Sequence, residues 1–366
     1  MLEHSFATLR NATSTQRMDM NRQWRLAAYP DGMPTEAHWT LAASPIPEPR
    51  PNEMLVRAIY LDVAPYMRGR ISPQRNYAAG VKPGDVMIGG GLGAVVRSEC
   101  KGYAPGDIVV TDFSFGWQEY AVLRPSVVRR VDPQLAPLPY WLEALGLNGM
   151  TAYFALLDAA RARAGDTVFI SAAAGSVGQI AGQLAKLAGC RTVGATSSPE
   201  KAAWCREIGY DAVLDYRTEN DLAAAIARAC PRGVDVYIDN TAGPIHDAVL
   251  QNLATHARIT LVGAVSLAAQ FGKPDIGPRF LRQILIARAT MQGFLVSDYQ
   301  DQYAEARHRL AQWVRSGALR SRFDVASGIE AMPGAFLRLL TSRNLGKQLV
   351  QVNDEPPGSP PFQTRT

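Results

Sequence analysis

The stretch Gly165-Asp-Thr-Val-Phe-Ile-Ser-Ala-Ala-Ala-Gly-Ser-Val-Gly-Gln-Ile-Ala-Gly-Gln-Leu-Ala-Lys-Leu-Ala-Gly189 decides the fold of this chain. Its residues 167–171 are mostly β-branched, aromatic or aliphatic, which predicts a buried parallel strand. A turn of small residues follows, and the next segment places Ile180, Leu184 and Leu187 on one side of a helix. This is the pattern of a dinucleotide-binding strand–loop–helix unit, with alanine at the first of its three small positions.

The small residues of this loop suit a bound pyrophosphate. Gly175 allows close approach of the backbone, Gly178 allows the helix to pack on the strand, and the helix N-terminus offers unpaired N–H groups. We therefore predict a pyrophosphate site at Gly175, Ser176, Val177 and Gly178. A strand–helix turn that is small for packing alone is the alternative that the loop by itself leaves open.

Length and composition narrow the class of protein. A chain of 366 residues exceeds the size at which single cores stop growing, so two domains are expected. No apolar run is long enough to span a membrane, and the net charge of +5 comes from scattered Lys and Arg residues. We expect no membrane and no nucleic-acid partner. The four cysteines include no C-x-x-C pair, which favours a reducing, cytoplasmic location.

The pattern of predicted elements changes twice along the chain. Residues 21–146 show short strands between Pro-Gly-Asp turns, which predicts an antiparallel β domain. Residues 147–316 alternate strands and Ala/Leu-rich helices, which predicts an open parallel sheet covered on both faces. Residues 317–352 are expected to return to the first domain, whereas 1–20 and 353–366 are expected to be disordered. The strands of the parallel sheet are predicted at 167–171, 192–196, 212–215, 234–239, 258–262 and 290–294.

The residues after the second of these strands indicate the cofactor. NAD sites usually keep an acidic residue at this strand end, but this chain has Ser197 there and Lys201 shortly after. Hydroxyl donors and a cation suit a 2′-phosphate, so we predict NADPH rather than NADH. The alternative is a solvated helix N-terminus that is capped by a serine and has Glu200 in its first turn. Polar and small residues at 239–243 and 261–266 end two further strands, where either ligand binding or turn chemistry accounts for them.

No set of zinc ligands can be assembled from the sequence. The first domain has only Cys100, His4 and His38, at spacings that fit neither a catalytic nor a structural site. We therefore predict no metal.

Several motifs together resemble a known family. They are Asn21-Arg22-Gln23-Trp24, Pro65-Tyr66-Met67-Arg68-Gly69-Arg70, Gly149-Met150-Thr151-Ala152-Tyr153-Phe154, Asp239-Asn240 and Asn344-Leu345-Gly346-Lys347. With the loop and the lack of zinc ligands, they resemble the zinc-independent medium-chain dehydrogenase/reductases. Within that family they resemble the alkenal double-bond, prostaglandin and curcumin reductase group. The resemblance implies an α/β fold, with a GroES-like β-rich catalytic domain and a Rossmann domain built on a doubly wound parallel sheet.

The resemblance also implies an activity and a set of cofactor contacts. The family reduces the C=C bond of α,β-unsaturated aldehydes and ketones with NADPH, usually as a cytosolic homodimer. Lys201 and Tyr216 would hold the 2′-phosphate. Carried over by position, the cofactor contacts are Gly175, Ser176, Val177, Gly178, Lys201, Tyr216, Asn240, Val262, Gly263, Ala264, Val265, Ser266, Phe294, Leu295, Val296 and Asn344.

The chain departs from the family pattern at two places. Ala64 replaces the aspartate that usually precedes Pro-Tyr-Met-Arg, and a tyrosine usually found two residues after Ser266 is absent, since Leu267, Ala268 and Ala269 follow. That tyrosine is often assigned to the substrate pocket.

Tyr66 is our candidate catalytic residue, because its phenol is protonated at neutral pH and can donate to a developing enolate. Packing is the alternative role, and backbone N–H groups or the cofactor's ribose could donate instead. Three function classes are weighed: an enone or enal reductase, a quinone reductase, and a non-catalytic NADPH-binding protein. The expected walls of an apolar substrate pocket are Tyr66, Phe113, Trp117, Phe294 and Tyr299.

Overall fold

A computed structural model describes residues 20–74 and 76–359. The predicted N-terminal extension therefore lies outside the described residues, except for Met20, and so do residues 360–366. Among the helices of the described segments, none is long and apolar enough to cross a bilayer.

The first part of the chain forms β structure. Alternating burial along its strands, such as Tyr120–Leu123, reflects one face on a core and one facing outward. Its elements are β1 (Met20–Leu26), β2 (Trp39–Pro45), β3 (Met54–Asp62), α1 (Met67–Arg70), β4 (Gly91–Ser98), β5 (Ile108–Thr111), β6 (Tyr120–Leu123) and β7 (Arg129–Arg130).

The second part alternates helices and strands. The central strands of its sheet are mostly buried, as expected for strands covered on both faces, whereas the two edge strands contain no buried residue. The elements are α2 (Leu147–Phe154), β8 (Thr167–Ile170), α3 (Ser176–Leu187), β9 (Arg191–Thr196), α4 (Pro199–Glu207), β10 (Ala212–Asp215), α5 (Leu222–Ala229), β11 (Val234–Asp239), α6 (Gly243–Leu250), β12 (Leu253–Leu261), α7 (Leu281–Ala287), β13 (Thr290–Gly293) and α8 (Tyr303–Arg315).

The last part returns to the first sheet through β14 (Phe323–Ser327), α9 (Met332–Leu340) and β15 (Lys347–Gln351). Strand β15 pairs antiparallel with β3 and parallel with β14. The sheet order is β14-β15-β3-β4-β5-β7, with β6 also paired to β3. The strand pairing thus adds β14 and β15 to the sheet that begins with β3.

The second sheet is parallel, with the order β10-β9-β8-β11-β12-β13. The order reverses between β8 and β11, which is the switch point where such sheets bind ligands beyond their carboxyl ends. The fold class predicted from the sequence, a β-rich domain joined to a Rossmann sheet, is confirmed.

The start of the predicted disordered tail is held against the first sheet. Asn353 donates a hydrogen bond to the Ala58 carbonyl at 2.7 Å, and the Tyr60 hydroxyl donates to Glu355 at 2.7 Å. Polar side chains therefore tie Asn353 and Glu355 to β3.

Candidate active site

The loop after β8 has the geometry of a phosphate cradle. Ala172 takes a left-handed φ of 49°, and Gly175 is the N-cap of α3. A Cβ on Gly178 would lie 2.4 Å from the Ala172 carbonyl oxygen, so only glycine lets the helix start this close to the strand. The Tyr210 hydroxyl donates to the Gly178 carbonyl at 2.7 Å. The first turn of α3 is thus fixed, while its N–H groups point out of the helix end.

The returning segment lies directly against this loop. Gly346 donates its N–H to the Ala174 carbonyl at 3.0 Å and forms a parallel bridge with Gly175. Asn344 is buried, and its side-chain amide donates to the Gly346 carbonyl at 2.9 Å. The structure therefore brings the predicted cofactor residue Asn344 together with the predicted pyrophosphate loop.

A second predicted cluster lies beyond β9. The Lys201 Nζ donates to the Ser197 hydroxyl at 3.1 Å and to the Ser342 carbonyl at 2.7 Å. Lys201 forms no ion pair among the described residues. Burial, and then the nearby charge of Arg217, lower its pKa to about 8. Tyr216 is half-buried and donates its N–H to the Thr196 carbonyl at the end of β9. The Lys201 ammonium makes its hydrogen bonds to neutral groups, and the carboxylates of Asp324 and Glu200 act on it only through their charge, so an anionic group would fit beside it.

Arg217 was not predicted from the sequence. It follows Tyr216 directly and is exposed, and its charge acts on Lys201. Lys201 comes shortly after β9, so the sequence pattern points to it. Arg217 follows β10 instead, and only the fold shows that it lies near Lys201.

A buried carboxylate shapes the turn after β11. Asp239 accepts from the backbone N–H of Thr241 at 2.9 Å and from His246 Nδ1 at 2.7 Å. Burial acts to raise the Asp239 pKa, but these hydrogen bonds outweigh it, and the pKa is lowered. Asn240 donates its side-chain amide to the Ser171 carbonyl at 2.8 Å. Asn240 is therefore fixed at the switch point, between the ends of β8 and β11.

The predicted cofactor turn 262–266 lies beside it. Val262 and Gly263 donate their N–H groups to the Asp239 carbonyl at 2.8 and 3.0 Å, and the Ser266 hydroxyl donates to the Thr241 carbonyl at 2.6 Å. Three members of the turn are exposed, namely Gly263, Ala264 and Ser266. Val265 packs against the core of the first domain.

The segment after β13 is divided between core and surface. Phe294 is buried and donates its N–H to the Leu261 carbonyl, whereas Leu295 is 40% exposed. The Phe294 and Tyr299 rings stack at 5.5 Å, and the Val296 carbonyl accepts from the Tyr303 hydroxyl. These residues belong to the core of the second domain and reach its surface at Leu295.

Tyr66 lies at the start of α1. Its ring packs edge-on against Phe113 at 5.3 Å, and the Arg70 guanidinium lies 5.9 Å from the ring centre. The hydroxyl oxygen is shielded from solvent and has no hydrogen-bond partner in the described part of the chain. Burial, and then the nearby charge of Asp62, raise the Tyr66 pKa well above its usual range. The phenol therefore stays protonated at physiological pH.

Asp62 belongs to a buried ion pair that the sequence analysis missed. The Lys347 ammonium contacts the Asp62 carboxylate, and both side chains are buried. Burial raises the Asp62 pKa, and Lys347 opposes that shift. The lysine was within reach of prediction, because it ends the Asn-Leu-Gly-Lys motif, whereas its partner is 285 residues away.

The position of the absent family tyrosine is occupied by packing. Ala268 is buried in the core of the first domain, and its carbonyl accepts from Arg68 Nε at 2.9 Å. The Arg68 guanidinium lies 5.1 Å from the centre of the Phe271 ring. Tyr66 therefore has no phenolic neighbour at this position.

Trp117 does not face a pocket. It is fully buried against Trp39 and Phe336, with ring centres 5.5 and 5.8 Å away. The structure thus corrects its predicted role as a pocket wall, because a ring closed in by other aromatic rings has no surface left for a ligand. Phe113 is 37% exposed and remains beside Tyr66.

No group of three or more His, Cys, Asp or Glu side chains within residues 20–74 and 76–359 is placed to hold a metal ion.

Comparisons with known proteins show which family the chain belongs to. A family model described as the N-terminal domain of oxidoreductase matches residues 22–131, and one described as zinc-binding dehydrogenase matches 176–312. The NADPH-dependent curcumin reductase of Escherichia coli is 36% identical, over 92% of this chain and 98% of that protein. Prostaglandin reductase 1 of Rattus norvegicus is 34% identical, over 90% and 99%.

Among solved structures, CurA from Vibrio vulnificus in complex with NADPH matches with a TM-score of 0.86 and 37% identity. The match covers 91% of this chain and 100% of that chain. Fold, site and comparisons define a two-domain oxidoreductase. The chain belongs to the zinc-independent medium-chain dehydrogenase/reductases, in the group that includes curcumin, prostaglandin and 2-alkenal reductases.

Proposed function

We propose that the protein is an NADPH-dependent reductase of the C=C bond of α,β-unsaturated ketones or aldehydes. The observation that carries the proposal is the Tyr66 hydroxyl, which is protonated, shielded and without a partner among the described residues. Relatives named for NADPH and for alkenal or curcumin reduction support the same reading.

The residues around the switch point fit NADPH. The first turn of α3 and Gly175 would hold the pyrophosphate through backbone N–H groups at the helix N-terminus. Gly178 allows the helix to start this close to β8, because a side chain there would collide with the backbone of the turn after β8. Lys201, Ser197 and Tyr216 would hold the 2′-phosphate through donors and positive charge. When bound, NADPH would supply a hydride for the β-carbon of the substrate.

Tyr66 would act at the substrate's carbonyl oxygen. Hydride addition to an enone leaves an enolate, and a preorganised donor lowers the free energy of that charge. A phenol that cannot ionise at physiological pH is suited to donate a hydrogen bond there. Phe113 packs against the Tyr66 ring and would limit water access beside it. Protonation of the α-carbon then follows from a hydroxyl or from water.

The direct test is an NADPH oxidation assay with a linear enone, a linear enal and menadione, followed by product analysis. We expect NADPH consumption with the enone or enal, and a saturated carbonyl compound as the product. An allylic alcohol would contradict the proposed C=C reduction. Faster turnover of menadione would indicate a quinone reductase, and tight NADPH binding without turnover of any acceptor would indicate a non-catalytic protein.

We also propose a homodimer in the cytoplasm. In the described sheet, β13 is an edge strand with one paired neighbour. The adjacent helix α7 leaves Leu281, Leu285 and Ile286 exposed by 67%, 75% and 63%. Apolar side chains beside an unpaired edge favour a second copy of the same sheet. All four cysteines are free thiols, which suits a reducing compartment.

A further inference from the structure

A buried carboxyl group lies directly behind the proposed pyrophosphate loop. Glu143 has no exposed surface. Its Oε1 accepts from Gln179 Nε2 at 2.7 Å and from the Ser176 hydroxyl at 3.3 Å, and its Oε2 accepts from the Ser321 hydroxyl. Ser176 and Gln179 both belong to the first turn of α3, so one side chain from outside the Rossmann sheet holds that turn.

We propose that Glu143 is a positioning residue for the cofactor loop, and that NADPH binds with uptake of a proton at the Glu143 carboxyl group. The inference rests on the proposed function, because it assumes that a dinucleotide pyrophosphate occupies the N-terminus of α3.

The reason is electrostatic. A pyrophosphate at the helix N-terminus is negative, and an ionised carboxylate hydrogen-bonded to Ser176 would repel it across one turn of buried structure. A neutral carboxyl keeps the same geometry. It can accept from Gln179 and donate one hydrogen bond to a serine hydroxyl, because a hydroxyl both donates and accepts.

The groups that face Glu143 leave its neutral and ionised forms close in free energy. Lys347 on β15 favours the carboxylate, but Lys347 is already paired with Asp62. The phenol of Tyr140, one turn earlier in the chain, accepts from the Ser321 N–H and supplies no positive charge. Burial is the largest influence and raises the Glu143 pKa to about 7. A nearby anion can therefore shift the protonation of Glu143 within the physiological range of pH.

The same carboxyl group reaches the segment that returns to the first domain. Gln179 accepts from the Arg322 N–H at 3.0 Å and from Trp204 Nε1 at 2.9 Å, and its amide also donates to the Arg322 carbonyl. Glu143 thus joins the first turn of α3 to residues 321–322, which fixes the loop relative to both domains.

The test compares NADP⁺ affinity of the wild-type protein and Glu143→Gln between about pH 6 and pH 8.5. Gln has the shape of neutral Glu and can donate to Ser321. We expect wild-type affinity to fall about five- to tenfold more than that of Glu143→Gln, as linkage requires if binding raises the Glu143 pKa by about one unit. Glu207→Gln, which removes an exposed carboxylate paired with Arg320, should follow the wild type.

A second measurement needs no variant. Titration calorimetry of the wild type near pH 7, in two buffers of different ionisation enthalpy, measures the protons taken up on binding. NADP⁺ should take up several tenths of a proton more than 2′-AMP, which carries the 2′-phosphate without a pyrophosphate. Equal uptake, or parallel pH profiles of wild type and Glu143→Gln, would overturn the inference. Failure of NADP⁺ to bind at any pH would contradict the proposed function instead.

Discussion

At the scale of single residues, the environment of Tyr66 determines what its phenol can do. Burial and the charge of Asp62 keep it protonated, and no described group competes for its hydrogen. Tyr77 offers a natural comparison, since its ring also lies near the Arg70 guanidinium, at 5.7 Å, but is 58% exposed. A hydroxyl in water already has partners, so only the shielded one gains from binding an oxyanion.

We predict that Tyr66→Phe lowers kcat for an enone by about ten- to a thousandfold, because it removes one donor to the developing enolate. NADPH affinity should stay within about twofold, as the ring and its contact with Phe113 remain. Steady-state kinetics and fluorescence titration measure the two effects. Tyr77→Phe is the matched control and should keep near-wild-type kcat. An unchanged kcat for Tyr66→Phe would assign the proton to water or to the cofactor's ribose.

Lys201 gives a second prediction, on pH. Its pKa of about 8 means that the ammonium is present below that value and lost above it. NADPH affinity should therefore weaken as pH rises through 8, while NADH affinity responds much less, because NADH has no 2′-phosphate. Lys201→Arg should remove this part of the pH dependence, since the guanidinium stays charged.

Lys201→Ala should weaken NADPH binding by about ten- to a hundredfold and NADH binding by little, as expected for loss of a charge-assisted contact. Lys186→Ala, which removes a lysine paired with Asp211 on the surface, is the control. Equal losses for the two cofactors with Lys201→Ala would dismiss the 2′-phosphate assignment.

At the scale of elements, the join between the phosphate loop and β15 depends on one glycine. Gly346 has a φ of 75°, and a Cβ there would lie 1.9 Å from the Arg322 carbonyl oxygen. Gly317 has the same φ of 75° with nothing within 4 Å of its Cβ position. Alanine substitutions at Gly317 and Gly346 therefore separate the free-energy cost of backbone strain from that of the steric collision.

We predict that Gly317→Ala costs about 1 kcal/mol of unfolding free energy, the usual strain of a left-handed alanine. Gly346→Ala should cost at least about 3 kcal/mol, because the backbone of β14 or of the loop must also move. Urea unfolding measures both values, and NADPH affinity should fall only for Gly346→Ala. Similar losses of stability in the two variants would show that the contact with Arg322 relaxes freely.

The elements also show how far the sequence can be read. The strands at 212–215 and 234–239 were predicted with the bounds observed, because each is a short, largely apolar run that the local sequence marks. Strand β14 was missed, since Phe323–Ser327 is half-buried and gains its pairing from β15, which follows α9. Periodicity within a segment reports burial, but it does not report a partner that arrives later in the chain.

The candidate site divides in the same way. Gly178 and Lys201 were predicted because each stands at a fixed offset from a strand. Glu143 and Asp62 were not predicted, because each interacts with a residue that is distant in the sequence. Ser176 is 33 residues from Glu143, and Lys347 is 285 residues from Asp62. The role of Trp117 was predicted wrongly, because the sequence does not show whether an aromatic residue in a loop lines a cleft or packs in a core.

At the scale of the whole molecule, contacts between the two domains surround the site. Gly346 bonds to the phosphate loop, Lys201 donates to the Ser342 carbonyl, and Arg68 bonds to the Ala268 carbonyl. The first two contacts involve the returning segment, whose Lys347 also pairs with Asp62 inside the first domain. The returning segment therefore carries both Asn344, a proposed cofactor residue, and Lys347, the partner of Asp62.

The exposed apolar side chains of α7 bear on the proposed homodimer. If α7 and the edge strand β13 form the dimer interface, a charge in the centre of the apolar face should separate the subunits. We predict that Leu285→Lys changes the wild-type dimer to a monomer in light scattering coupled to gel filtration, because burial of an unpaired ammonium is unfavourable. Leu187→Lys, at a 48% exposed leucine at the end of α3, should leave the dimer intact. A dimeric Leu285→Lys would place the interface elsewhere, and a monomeric wild type would contradict the homodimer itself.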